Sequence, residues 1–299
     1  YAEDLAGLAR AAGAMVEDPE HAVSSALDLP TLSNAPAEWL GGQLPLGLGV
    51  VGHVAHDLTT GAQLAYELAI KPVTMTDQVM RVRLLDDTSE AAQYAWLKPS
   101  GGESNRTSFG IPQGTQYLRS VATSRLADLL GLHVVPETRL VSTADGPASL
   151  QLDAPGEALP VAGYSSLDTQ SLAISDYLTG QGDRHPNNHL TMDDGRLAAI
   201  DNGVSFPERN EPLMRSDFVA EHFRQPLDPA LVQQLAQADR AVITQQLRDL
   251  QIPDTAIDGV FERMDEIVQH GAITGHAWPG TIYRANGLNF YPDWDEGMW

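Results

Sequence analysis

The chain has 299 residues, 42% of them hydrophobic, a net charge of −22 and no cysteine. That length holds one two-lobed domain or two small ones, with ordinary apolar content for a sizeable core. The charge argues against a nucleic-acid partner and mildly against an anionic membrane surface, and the lack of cysteine excludes disulfides, zinc–thiolate sites and thiol catalysis.

Leu5, Leu8, Ala12, Met15 and Val16 recur at helical spacing, so residues 2–17 read as a short amphipathic helix. Residues 18–46, rich in Pro, Ala, Ser and Asp, read as loop or short turns, and 1–46 as an N-terminal extension. Gly47, Gly49 and Gly52 precede a strand expected over 66–71. Alternation then predicts a hairpin over 79–98 that ends at Lys98 and Pro99. Leu118, Val121, Ala122, Leu126, Leu129 and Leu130 place a helix over 115–130, with Gly131 at the position of a terminating glycine. Strands are expected over 134–141 and 146–152, followed by a connector with Pro155, Gly156 and Pro160.

A helix over 166–180 runs into a polar loop. Asp228 as N-cap and Pro229 as first helical residue open a helix to about Leu250, and Asp254 opens another to about His270. The segment 276–299 holds three of the five Trp and shows no period. The order is strands with one helix, then mainly helices. It predicts an α+β, two-lobed chain: a first lobe over 47–155 built on an antiparallel sheet with one helix, a mainly helical second lobe over 156–275, and an aromatic-rich tail over 276–299.

The most informative stretch is 182–206. Asp183 and Asn188 lie five residues apart, and Asp201 follows thirteen residues later, after an apolar run. Phosphoryl transfer needs this set: one carboxylate to orient the attacking hydroxyl, and an amide oxygen and a second carboxylate to hold Mg²⁺ on nucleotide phosphates. Lysine is scarce. Only Lys71 and Lys98 occur, against sixteen Arg, and a compact ammonium that persists in such a chain is one that a guanidinium replaces badly. Lys98 ends a strand and precedes Pro99, Ser100, Gly101, Gly102 and Glu103. Lys71 is its rival, because Gly47, Gly49 and Gly52 ahead of it resemble a protein-kinase glycine loop.

Gly182, Asp183, Arg184, His185 and Asn188, then Ile200, Asp201 and Gly203, resemble the catalytic and metal-binding loops of the phosphatidylinositol 3-/4-kinase-like family, over roughly 79–206. The resemblance implies a protein-kinase-like fold that uses ATP and Mg²⁺. Asp183 would be the catalytic Asp, with His185 near the transferring phosphate and Arg184 bracing the loop. Asn188 and Asp201 would be the metal ligands and Lys98 the nucleotide-phosphate lysine. Val135, Pro136, Glu137 and Thr138 look like the family's entry to the hinge strand.

The sequence departs from the pattern at Ser120, where the family's helix carries a Glu that pairs with the lysine. Gln116, or Glu103 folding back on Lys98 from five residues downstream, is the expected substitute. Without one, a nucleotide-binding pseudokinase or a nucleotidyl transferase becomes a rival reading. A metal-dependent hydrolase is a weaker one.

A protein hydroxyl is the expected acceptor and a phosphoinositide the alternative. Residues 202–225 carry Arg209, Arg215 and Arg224 against Glu208, Glu211, Asp217 and Glu221, a poor surface for an anionic membrane. No apolar run is long enough for an integral membrane segment. Tyr1 in place of Met reads as a processed chain with no legible signal peptide. The bacterial cytoplasm and a secreted effector delivered into a host cell both fit.

Overall fold

The structure is a computed structural model. It describes residues 44–46, 50–58, 63–70, 79–84, 93–105, 107–154, 156–157, 163–192, 194–208, 213–278, 280–283 and 289–290. The helix expected over 2–17, Lys71, Gly47, Gly49 and most of the tail lie outside these residues.

The first lobe is a seven-stranded antiparallel sheet. Its strands are β1 (Leu44–Leu46), β2 (Val50–Asp57), β3 (Gln63–Ile70), β4 (Met80–Leu84), β5 (Gln93–Pro99), β6 (Thr138–Thr143) and β7 (Gly146–Leu152). The spatial order is β1-β2-β3-β4-β5-β7-β6, and β2 pairs again with β6, so the sheet curls and closes on itself. The hairpin expected over 79–98 is β4 and β5, in register from Met80 opposite Leu97 to Leu84 opposite Gln93. Ala55, Val82, Ala95, Leu97, Val141, Ala148 and Leu150 gather into a small separate core, with the alternation of a strand clearest along β5. The sheet begins at Leu44, three residues ahead of the expected boundary. β6 begins at Thr138 rather than 134. Pro136 has no N–H for a ladder, and the Val134 carbonyl is taken by Ala199 N at 2.7 Å.

Helix α1 (Gln116–Leu129) packs on β6 and β7 and is buried on nearly every side, Arg119, Ser120, Thr123 and Ser124 included. It ends as the sequence predicts. Gly131 has φ +63°, and Leu132 N and Gly131 N return to the carbonyls of Ala127 and Asp128, closing a Schellman motif.

The second lobe contains α2 (Ser166–Thr179), α3 (Asp217–His222), α4 (Pro229–Ala236), α5 (Arg240–Asp249) and α6 (Asp254–His270). Their apolar faces share one core with the underside of α1, from Leu118 and Leu126 to Leu172, Val260 and Trp278. The single helix expected over 228–250 is two helices. Asp239 starts the second by accepting Ala241 N and Val242 N, and a capping carboxylate favours a helix start over a helix interior.

Short strands complete the lobe. β8 (Gly156–Glu157), β9 (His189–Met192) and β10 (Leu197–Ala199) form one antiparallel sheet. In the other, β11 (Leu213–Arg215) pairs in parallel with β12 (Thr281–Tyr283), which pairs with β13 (Asn289–Phe290). Of the residues after 276, 281–283 and 289–290 are therefore built into the second lobe. Trp278 is fully buried, and its ring is 3.0 Å from where a Cβ on Gly180 would stand. The chain is a two-lobed α+β fold, with a curled antiparallel sheet and one helix followed by a mainly helical lobe. None of its described helices is long and apolar enough to cross a membrane.

Candidate active site

The site forms where α2 hands the chain to the polar loop 182–188. Gly180, at φ +63°, ends α2: Gln181 N returns to Asp176 O and Gly180 N to Tyr177 O. A side chain there would be strained by the left-handed backbone and would meet Trp278 and Pro207. The loop then pairs with β11, because Arg215 N donates to Gln181 O and Arg184 N to Arg215 O. Asp183 lies on this stretch. Its side chain is 17% exposed, and Oδ1 lies 3.3 Å from Arg215 Nη1. Its backbone N–H donates to Gln181 Oε1 at 2.9 Å.

The β9–β10 hairpin carries the second half. His189 faces Ala199, which sets the residues on either side of the hairpin against each other. Ile200 N donates to Asn188 O at 3.0 Å, so Asn188 and Asp201 become neighbours in space. Asn188 is buried, and its amide N–H donates to the Asp183 carbonyl at 2.8 Å. That bond fixes the rotamer and leaves its carbonyl oxygen as the end suited to a cation. Asp201 has φ +54°, a left-handed conformation that Asp tolerates better than most residues at a cost of about 1–3 kcal/mol. Asp201 Oδ1 accepts from Lys98 Nζ at 2.8 Å across the two lobes. The Lys98 charge holds the Asp201 carboxyl below the usual Asp value against the opposing effect of desolvation, with smaller help from Arg184 and His185.

Arg184 is 1% exposed and every N–H of its guanidinium is used. Nε and Nη2 grip the Asp176 carboxylate at 2.9–3.2 Å. Nη1 donates to the carbonyls of Asn188 and Ile200 at 2.7 and 2.6 Å, and Nη2 to Asn202 Oδ1 at 2.6 Å. Those contacts belong to a brace that spans both loops, not to a group that meets substrate. His185 caps the 3₁₀ turn Pro186–Asn188: Nδ1 accepts from Asn187 N at 3.2 Å, so in the neutral ring Nε2 carries the hydrogen.

Lys98, Asp201, Gly203, Val79, Ser120 and Glu103 line a small solvent-open cleft between the lobes. Ser120 stands in its wall. Glu103 does not pair with Lys98. Its two oxygens accept Gln116 N at 2.9 Å and Tyr117 N at 2.6 Å, the first N–H groups of α1. Gln116 is also turned away, donating to Ser104 O at 2.6 Å.

Sequence reading missed four residues of the arrangement: Asp176, Asn202, Arg215 and Ser216. Ser216 donates to Asp176 Oδ2 at 2.8 Å and caps α3 by accepting Val219 N. A fully buried carboxylate on an otherwise apolar stretch of α2 is the one signal that marks Asp176. The other three act through positions that only folding brings together.

Residues 161–223 match the sequence profile of the family described as phosphatidylinositol 3- and 4-kinase. That span contains Asp183, Asn188 and Asp201 and stops short of Lys98. No curated protein matches the chain. Among solved structures, a Helicobacter pylori proinflammatory kinase, CtkA, is similar over 69% of this chain and 95% of its own, at 12% identity and a TM-score of 0.41.

Proposed function

We infer that this phosphatidylinositol 3-/4-kinase-like chain is a phosphotransferase that moves the γ-phosphoryl group of ATP to a hydroxyl, and that the hydroxyl belongs to a protein. The observation that carries this reading is the Lys98–Asp201 pair at 2.8 Å, set beside Asn188 and the loop of Asp183. It supports Lys98 over Lys71 as the phosphate lysine.

Asn188 and Asp201 offer an amide oxygen and a carboxylate, hard donors that suit Mg²⁺. Among the described residues no group of three or more His, Cys, Asp or Glu is placed to hold a metal, so a cation here would complete its shell with phosphate oxygens and water. When bound, Mg²⁺ would neutralise charge on the phosphates. Lys98 would exchange Asp201 for the α- and β-phosphates. Asp183 would orient the acceptor hydroxyl and take its proton as the bond from the γ-phosphorus to ADP breaks and the bond to the acceptor oxygen forms. Most of the rate enhancement in such a reaction is positioning, which is what Arg184 and Asn188 provide to Asp183.

The acidic balance of 202–225 favours a protein acceptor over a phosphoinositide. Ser120 in the cleft wall favours a second reading, in which ATP binds but is used for nucleotidyl transfer or not turned over. One assay separates these. γ-Labelled ATP is supplied with a mixed protein lysate or with phosphoinositide vesicles, for the wild-type chain, Asp183→Ala and Asp201→Ala. Label on protein that vanishes in both variants supports the reading, and label on lipid moves the acceptor. Label from α-labelled ATP on protein indicates nucleotidyl transfer, and ATP binding without any transfer refutes the phosphotransferase.

A further inference from the structure

We propose that Glu103 is a positioning residue for Lys98: it clamps α1 to the segment that carries the lysine and so supplies the tie that Ser120 cannot. The proposal rests on Lys98 being the phosphate lysine.

α1 is the wall of the cleft on which both halves of the Lys98–Asp201 pair depend. On one side Gly203 packs so closely against it that an added Cβ would stand 2.9 Å from Gln116 Cβ. On the other side the segment from β5 must be held against the helix, or Lys98 and Asp201 separate. Ser120 faces the cleft but has no charge for Lys98, and the Lys98 ion pair goes to Asp201. The tie is made elsewhere. Thr115, the residue ahead of α1, makes no side-chain cap; its hydroxyl donates to Pro112 O instead. The open N–H groups of Gln116 and Tyr117 are met from outside by both oxygens of Glu103. A carboxylate is the side chain best suited to this place, because it accepts two bonds and also faces the positive end of the helix. Gln116 Nε2 adds a second bond to the same segment, at Ser104 O. A tether of this kind leaves the Lys98 ammonium unshared on its own lobe, free to move between Asp201 and phosphate.

The chain's two lysines make the clamp visible without any enzyme assay. In protein labelled with ¹³Cε-lysine, Lys71→Arg assigns the Lys98 resonance and Asp201→Ala gives its position when the pair is lost. Glu103→Ala should carry the Lys98 resonance most of the way to that position while the Lys71 resonance stays put. Affinity for MgATP should fall about tenfold, the size of one lost cap. Adding Ser120→Glu to Glu103→Ala should restore most of the affinity, which no effect on helix stability alone would do. An unmoved Lys98 resonance in folded Glu103→Ala, or no rescue by Ser120→Glu, overturns the proposal. If Glu103→Ala does not fold, Glu103→Gln, which keeps one acceptor, is read against the same two criteria. Wild-type protein that binds no ATP overturns the phosphate-lysine reading, and the resonance still decides whether the clamp exists.

Discussion

Replacing Arg184 with Met breaks a buried ion pair at the centre of the candidate site. The Arg184 and Asp176 side chains are 1% and 0% exposed, so their pairing is fully desolvated. Removal of the guanidinium leaves the Asp176 carboxylate with the Ser216 hydroxyl as its remaining side-chain donor, and strips a donor from Asn202 Oδ1 and from the Ile200 carbonyl. Breaking one partner of a buried pair costs about 3–5 kcal/mol, most of it the uncompensated charge. At roughly 2–4 °C per kcal/mol for a chain of this size, the melting temperature should fall by about 6–20 °C. Chemical denaturation of wild-type, Arg184→Met, Asp176→Asn and the double variant forms a complete cycle. The double variant should be more stable than Arg184→Met, because the orphaned charge is gone. A loss under about 1 kcal/mol in Arg184→Met, or a double variant no better than the single, would refute the brace.

Other perturbations are smaller. The depressed Asp201 carboxyl keeps the Lys98 pair intact above the usual Asp value and loses it only as pH falls through the lower folded value. Affinity for ATP should therefore show no step from Asp201 between pH 5 and 8, and Lys98→Met should raise the Asp201 pKa in a ¹³C-carboxyl titration. Burial holds His222 below the usual His value while Nε2 shares a hydrogen bond with Thr169 Oγ1. Below that usual value the unfolded chain binds the extra proton, so stability is full above it and falls with pH from there through the folded value; His222→Gln should flatten that slope in thermal melts. Gly180→Ala forces an L residue into a left-handed turn 3.0 Å from Trp278, and should cost at least about 1–2 kcal/mol by denaturant titration. Asp239→Ala should cost about 1 kcal/mol, because it removes the cap that starts α5; an unchanged denaturation midpoint would mean that packing alone splits the helix.

The sequence by itself determined the elements with a local cause. α1 follows from 3.6-residue periodicity and a terminating glycine, and the β4–β5 hairpin from alternation. These depend on neighbours in the chain, and neighbours are legible. The split between α4 and α5 was also written locally, in Asp239, but apolar periodicity ran across it and hid the cap. What only the tertiary structure decided has partners far apart in sequence. Lys98 meets Asp201 across 103 residues. Arg184 gathers Asp176, Asn188, Ile200 and Asn202 because burial leaves its five donors no water to use. Glu103 turns from the lysine to the helix end because the first N–H groups of α1 have no acceptor within the helix, and they and the helix dipole hold a carboxylate there. A charge's partner is set by which desolvated groups the fold places within reach, and no local pattern carries that information.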